Sequence, residues 1–221
     1  MKDKNSFFKY YLRSQIKKKG YFCAYCKNVL RRLHNKGVKL MKGIIILADG
    51  FEDTEALATI DVLKRSKLQV NTVSFDSLTV TSQYNLEVKA NMLFKDLKVE
   101  DYDFLVIPGG RAVFNVLDKK EELSDLIKSF LDDKKLVAAI CAGPSQIGKL
   151  GYFKKRSFTC FPGVEENIEG KFQTKKGVVR DGNLITAKAM AYTFDFALEI
   201  IEYLQGKRQR EAIYKNIRGE S

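Results

Sequence analysis

Histidine is nearly missing from this 221-residue chain: the single one, His34, falls within the first 40 residues. Everything beyond residue 40 therefore lacks the imidazole that a Cys-His or Ser-His-Asp relay uses as general base. It cannot build a histidine-based metal site either. Cysteine is sparse as well. Cys23, Cys26, Cys141 and Cys160 are the full set. Scattered thiols with no secretory apolar stretch ahead of them fit a reducing compartment better than a disulfide framework. No apolar run approaches the ~20 residues of a membrane-spanning helix. Internal repeats and low-complexity tracts are missing too.

Acid is what the N-terminal segment lacks. Residues 1–40 hold 12 Lys and Arg against one acid, Asp3, and carry +11 of the total net charge of +12. The rest is close to neutral, so the basicity does not argue for a nucleic-acid-binding globular domain. The chain divides into a basic N-terminal extension, 1–40, and one α/β domain, 41–221, long enough to bury a sizeable core. Three readings of the extension stay open. It suits a mitochondrial or plastid presequence. It also suits a flexible arm that meets nucleic acid or an anionic membrane through Phe7–Arg13 and Lys17–Lys19. The third, zinc held by Cys23, Cys26 and His34, lacks an evident fourth ligand. A start at Met41 would remove the extension altogether. The expected compartment is the cytoplasm, or a mitochondrion or plastid if the extension is a presequence.

Beyond the extension, apolar runs alternate with helical patterns. Gly43–Ala48 reads as a buried strand broken by Asp49-Gly50, and positions 56, 57, 60 and 63 follow with helical spacing. Acids in that helix's first turn (Glu52, Asp53, Glu55) suit the helix dipole. Gln69–Phe75 completes a βαβ unit. Thr79–Thr81 and Leu86–Ala90 read as a small hairpin at one edge of the sheet. Asp103–Ile107 is another buried strand, ending in Pro108-Gly109-Gly110, where the backbone can approach a ligand closely. Glu121–Leu131 is an amphipathic helix, Leu184–Ala187 a strand, and Tyr192–Leu204 a long helix, with Glu211–Ile217 as a short terminal extension. The pattern predicts a parallel sheet with a site at the carboxyl ends of its strands.

The chemistry-bearing stretch is Lys134–Gly148. Leu136–Ile140 is a continuous apolar run that stops at Cys141, with Ala142, Gly143 and Pro144 next. A strand that ends on a nucleophile and turns at once into a helix is a nucleophile elbow. That placement would lower the thiol pKa and offer backbone N–H groups to an oxyanion. An inert buried cysteine would share the pattern. With no histidine nearby in sequence, any partner of Cys141 is a carboxylate or a backbone dipole.

Several motifs in fixed order resemble the ThiJ/PfpI superfamily, and within it the branch of the Parkinson-disease-associated deglycase. They are Gly50-Phe51-Glu52-Asp53-Thr54-Glu55, Ile107-Pro108-Gly109-Gly110, Ala139-Ile140-Cys141-Ala142-Gly143-Pro144 and Asp181-Gly182-Asn183-Leu184-Ile185-Thr186. The resemblance spans about residues 42–215. It implies a flavodoxin-like three-layer sandwich with a mostly parallel central sheet, usually a homodimer, needing no cofactor or metal. It also implies Cys141 as nucleophile, Glu55 as thiolate partner and proton donor or acceptor, and the N–H groups of Gly110 and Ala142 as the oxyanion pocket. Glu52, Gly109, Cys160 and Phe161 are expected at the pocket rim, although Cys160 also reads as a small strand hydrophobe. A carboxyl beside a thiolate should hold its proton, leaving the sulfur charged near neutral pH.

The activity so implied is a cofactor-independent glyoxalase or deglycase acting on methylglyoxal, glyoxal and early glycation adducts of protein or nucleotide through a hemithioacetal. The alternative is a redox sensor or chaperone that responds to oxidative stress through oxidation of the same cysteine. Ala142 stands where protease-like branches carry histidine, which argues against a peptidase. Phe161 and Gln83 replace a histidine and an arginine of the human-type protein, altering the rim and its recognition of anions.

Overall fold

The computed structural model describes residues 41–220. The readings placed on the extension (presequence, basic arm, zinc at Cys23, Cys26 and His34) lie outside the described residues. The elements that build the site begin with strand β1 (Lys42–Ile46), helix α1 (Asp53–Arg65) and β2 (Gln69–Ser74). A hairpin of β3 (Thr79–Thr81) and β4 (Glu87–Lys89) follows, then β5 (Met92–Leu93), β6 (Phe104–Ile107), the single turn α2 (Ala112–Asn115) and α3 (Glu121–Asp132). Next come β7 (Leu136–Ile140), α4 (Pro144–Gly148), β8 (Ser157–Phe158), β9 (Lys171–Phe172), β10 (Val178–Asp181) and β11 (Leu184–Ala187). Helices α5 (Thr193–Gln205) and α6 (Lys207–Ile217) close the fold.

Seven strands make one sheet in the order β10-β11-β7-β6-β1-β2-β5. All neighbours run parallel except β10, which returns antiparallel to β11. Ile44–Ile46, Phe104–Ile107 and Leu136–Ile140 are fully buried, as central strands covered on both faces must be. On one side α1 packs against α5, and α5 against α6, β10 and β11; α3 packs against β6, β7 and α4. Right-handed crossovers explain the two layers: β1 to β2 steps one way along the sheet, while β6 to β7 to β11 steps the other, so their helices cover opposite faces. The reversal falls between β1 and β6. There the loops leaving the carboxyl ends of the two strands diverge and open a crevice.

Two expectations are corrected. The hairpin is not an edge of the main sheet; β5 holds that edge against β2, and β3–β4 form a separate two-stranded sheet. Backbone groups of the β1–α1 loop capture it instead. Gly50 N donates to Thr81 O at 2.7 Å, Gln83 N to Phe51 O at 2.9 Å, and Thr81 N to Asp49 Oδ1 at 2.8 Å. The terminal helix starts at Lys207 rather than Glu211, and Gly206, at φ 87° and ψ 165°, separates it from α5.

Gly43 tests the packing of the sheet centre. It pairs with Phe104 across β1 and β6, and a Cβ there would lie 2.0 Å from the Phe104 ring. Strand propensity alone favours Gly43→Ala by about 0.5–1 kcal/mol. Overpacking opposes it by about 1–3 kcal/mol or more. Net destabilisation is expected in urea unfolding, and a more stable variant would show that the ring has room to move.

Candidate active site

Cys141 is the first residue beyond β7, and its φ is +62°. The left-handed region is uncommon for a residue with a side chain and costs about 1–2 kcal/mol. The neighbours hold it there from both sides. Cys141 N donates to Ala187 O of β11, and Cys141 O accepts from Phe161 N, both at 2.9 Å. Gly143 N closes the turn onto Ile140 O at 2.9 Å. The result is an elbow that lifts a half-buried thiol above the carboxyl edge of the sheet.

Glu55 comes from α1, in the loop after β1. It is fully buried, and its position is set by the helix start. Glu52 is the N-cap in extended conformation, and its Oε2 accepts from Glu55 N at 2.7 Å. Glu55 Oε2 in turn accepts from Gly109 N at 2.9 Å. Its Oε1 has no hydrogen-bond partner, and the Cys141 side chain stands close enough to influence the carboxyl. Gly109 is what allows this approach. A Cβ there would stand 2.6 Å from Glu55 Oε2 and 2.7 Å from Cys141 Cβ. Gly110, at φ +92°, bridges antiparallel to Phe51, and its own Cβ would run into the Gly50 carbonyl at 2.4 Å. The N–H groups of Gly110 and Ala142 both donate to the sulfur.

Burial dominates the electrostatics. It raises the Glu55 carboxyl to about 7, helped by the nearby Glu52 charge, against the influence of Cys141 and the hydrogen bond from Gly109. Burial also raises Glu52, whose bond from Glu55 N pulls the other way. The Cys141 thiol is pushed up as well, first by burial and then by an ionised Glu55, and the Ala142 and Gly110 N–H groups only partly offset this. That corrects the expectation of a lowered thiol pKa. The elbow supplies donors, but α4 is a five-residue helix that starts beyond Ala142 and Gly143, and desolvation outweighs its field. The two groups form a coupled pair, and the sulfur gains negative charge when Glu55 holds the proton.

The remaining rim residues are spread more widely. Cys160 is fully buried, 3.9 Å from Glu165 Oε2, and burial pushes its thiol up to about 12. It lies past β8 in a loop anchored by Thr159 N on Thr186 Oγ1 at 2.9 Å, so it is neither a strand residue nor an open thiol. Phe161 exposes its ring but touches the elbow through its backbone N–H. Gln83 sits on the hairpin side of the mouth. The sequence reading passed over Arg111 there, although it directly follows the two glycines. Its Nη2 donates to Gln83 O at 2.7 Å, and its N–H to Gln83 Oε1 at 3.4 Å. Among the described residues no cluster of His, Cys, Asp or Glu could hold a metal ion, and no helix is long and apolar enough to cross a membrane.

Residues 41–203 match the DJ-1/PfpI family. The chain belongs to that family. It is 32% identical to protein DJ-1 homolog B of Arabidopsis thaliana over 168 residues, 75% of this chain but 38% of the plant protein. It is 30% identical to a deglycase of Pyrococcus horikoshii over 75% of this chain and all of that one. The crystal structure of Drosophila melanogaster DJ-1beta superposes with a TM-score of 0.76 at 28% identity, covering 80% of this chain and 97% of the fly protein. Toxoplasma gondii DJ-1 in an oxidized form gives a TM-score of 0.74 at 27% identity, with 80% and 97% coverage. The family's α/β architecture with a mostly parallel sheet is thus the architecture of this chain.

The raised Glu55 carboxyl links stability to pH. A carboxyl whose folded pKa lies above its unfolded value favours the folded state most below pH 4.5, and the advantage is lost as pH rises to about 7. The shift corresponds to about 3 kcal/mol. Between these limits wild type should lose that much stability relative to Glu55→Gln, read by urea unfolding at several pH values. A pH-independent gap between the two proteins would mean that folding leaves the Glu55 carboxyl at its ordinary pKa.

Proposed function

We propose that the chain is a cofactor-independent glyoxalase and deglycase acting on reactive dicarbonyls and early glycation adducts. The observation that carries this reading is the convergence of the buried Glu55 carboxyl and the Cys141 side chain on Gly109, where an added Cβ would lie 2.6 Å from Glu55 Oε2 and 2.7 Å from Cys141 Cβ, with the Gly110 and Ala142 N–H groups beside the sulfur. A thiol, a proton carrier near neutrality and two fixed donors are what aldehyde chemistry without a metal needs. The deglycase name of the Pyrococcus horikoshii relative supports the same substrate class.

With methylglyoxal, the Cys141 sulfur attacks the aldehyde carbon. An S–C bond forms, the carbonyl π bond breaks, and a proton reaches the new oxygen to give a hemithioacetal. Gly110 and Ala142 donate to that oxygen while it is charged. Glu55, as carboxylate, removes the proton from the former aldehyde carbon, and as acid it returns one to the adjacent carbon. The aldehyde carbon is thereby oxidised to the thioester level as the ketone is reduced to an alcohol, with no external oxidant or reductant. Water cleaves the S–C bond, releasing lactate and restoring the thiol. Glyoxal gives glycolate by the same steps, and a glycation adduct would release its amine. A homodimer is part of the same reading.

The test is lactate release from methylglyoxal by the full chain. Cys141→Ala should fall to the buffer rate, and Glu55→Gln should lower kcat by about 10²–10⁴-fold, the usual worth of a positioned acid or base. Equal rates for wild type and both variants would end the enzyme reading.

A second reading, the redox sensor, is favoured by one difference between the two described cysteines: Cys141 is partly exposed while Cys160 is sealed. Glu55 stands where it would hydrogen-bond a sulfinic acid. Peroxide should add two oxygens to Cys141 before Cys160, read by peptide mass spectrometry, and the reverse order would exclude this role.

A further inference from the structure

We propose that Arg111 makes the mouth of this site selective for dicarbonyl compounds that carry a carboxylate beyond the two reacting carbons. Arg111 is bonded to Gly110, whose N–H points at the Cys141 sulfur, so its Cα lies about 3.8 Å from that of an oxyanion donor. Its side chain is exposed and pinned on the hairpin side of the mouth by Nη2 donating to Gln83 O at 2.7 Å. Gln83 is fixed in turn by its own N–H on Phe51 O at 2.9 Å. A guanidinium has five N–H groups, and this contact uses one on a neutral carbonyl.

The charge is also uncompensated. Arg65, Arg180, Arg210 and Arg218 each pair with a carboxylate, whereas among the described residues none pairs with Arg111, Arg156 or Arg208, and of these three Arg111 alone adjoins the oxyanion loop. The acids of the adjoining β1–α1 loop are committed elsewhere. Asp49 accepts from Thr81 N, Glu52 accepts from Glu55 N, and Asp53 Oδ1 accepts from Ser82 Oγ at 2.6 Å. A held, forked cation one residue beyond the Gly110 oxyanion donor fits a planar carboxylate bidentately. A single positive charge matches a monoanion better than a phosphate dianion, which would leave charge unbalanced. The substrate class, an anionic oxoaldehyde, rests on the reaction proposed above; the charge preference of the mouth does not.

Iodoacetate and iodoacetamide separate the two. Each alkylates the Cys141 sulfur with iodide leaving, and they differ only in carboxylate against amide. The ratio of their rates at Cys141, read by peptide mass spectrometry on the full chain, is expected to fall roughly fivefold in Arg111→Ala, the size of a solvent-screened charge pair. Arg111→Lys should retain most of it. Because the iodoacetamide rate is measured on the same variant, a distorted site changes both rates and leaves the ratio alone. A ratio that does not move in Arg111→Ala overturns the proposal. If the ratio falls while no variant releases lactate from methylglyoxal, the selectivity stands and the glyoxalase reading alone fails.

Discussion

A carboxyl group and a thiol forced together out of water cannot both be charged, and the rest of the site follows from that constraint. Desolvation raises both groups, and whichever loses its proton first raises the other. The pair therefore behaves as one acid with a proton to place. Its reactive form is set by where that proton sits, not by the intrinsic acidity of cysteine. No imidazole is needed, which suits a domain that contains none.

The constraint is met by backbone more than by side chains. Three segments that leave the carboxyl ends of strands each give one part: Glu55 in the first turn of α1 after β1, Gly109 and Gly110 after β6, Cys141 after β7. They are bolted to one another through the Phe51–Gly110 bridge and the bond from Glu52 N to Gly109 O at 3.1 Å. Glu52 matters here as a helix cap. It fixes the first turn of α1 and with it the height of the Glu55 carboxyl over the sheet. Gly109 leaves the small volume into which that carboxyl and the sulfur converge.

Much of this was legible in the residues because it follows from short-range rules. Continuous apolar runs marked β1, β6 and β7, and the Cys141-Ala142-Gly143-Pro144 turn marked the elbow. The absence of histidine left a carboxylate or a backbone dipole as partner, and only the motif resemblance pointed to Glu55, 86 positions earlier (141 − 55). Other features escaped because they depend on tertiary surroundings. The thiol's upward shift comes from burial, which no local pattern reports. The hairpin's detachment from the sheet depends on its capture by the Asp49 carboxylate and the backbone groups of Gly50 and Phe51. Arg111 was passed over because nothing in its neighbourhood of sequence shows that its fork ends on Gln83.

The captured hairpin has a further consequence. Because β3 and β4 pair with no strand of the main sheet, they ride on the β1–α1 loop and on Asp53, whose Oδ1 accepts from Ser82 Oγ. Changes within 79–89 that keep the bonds of Thr81, Ser82 and Gln83 would reshape this side of the crevice, while changes that break them would reach the helix start that holds Glu55. The hairpin is thus an adjustable vestibule hinged on the chemical frame, not detached from it.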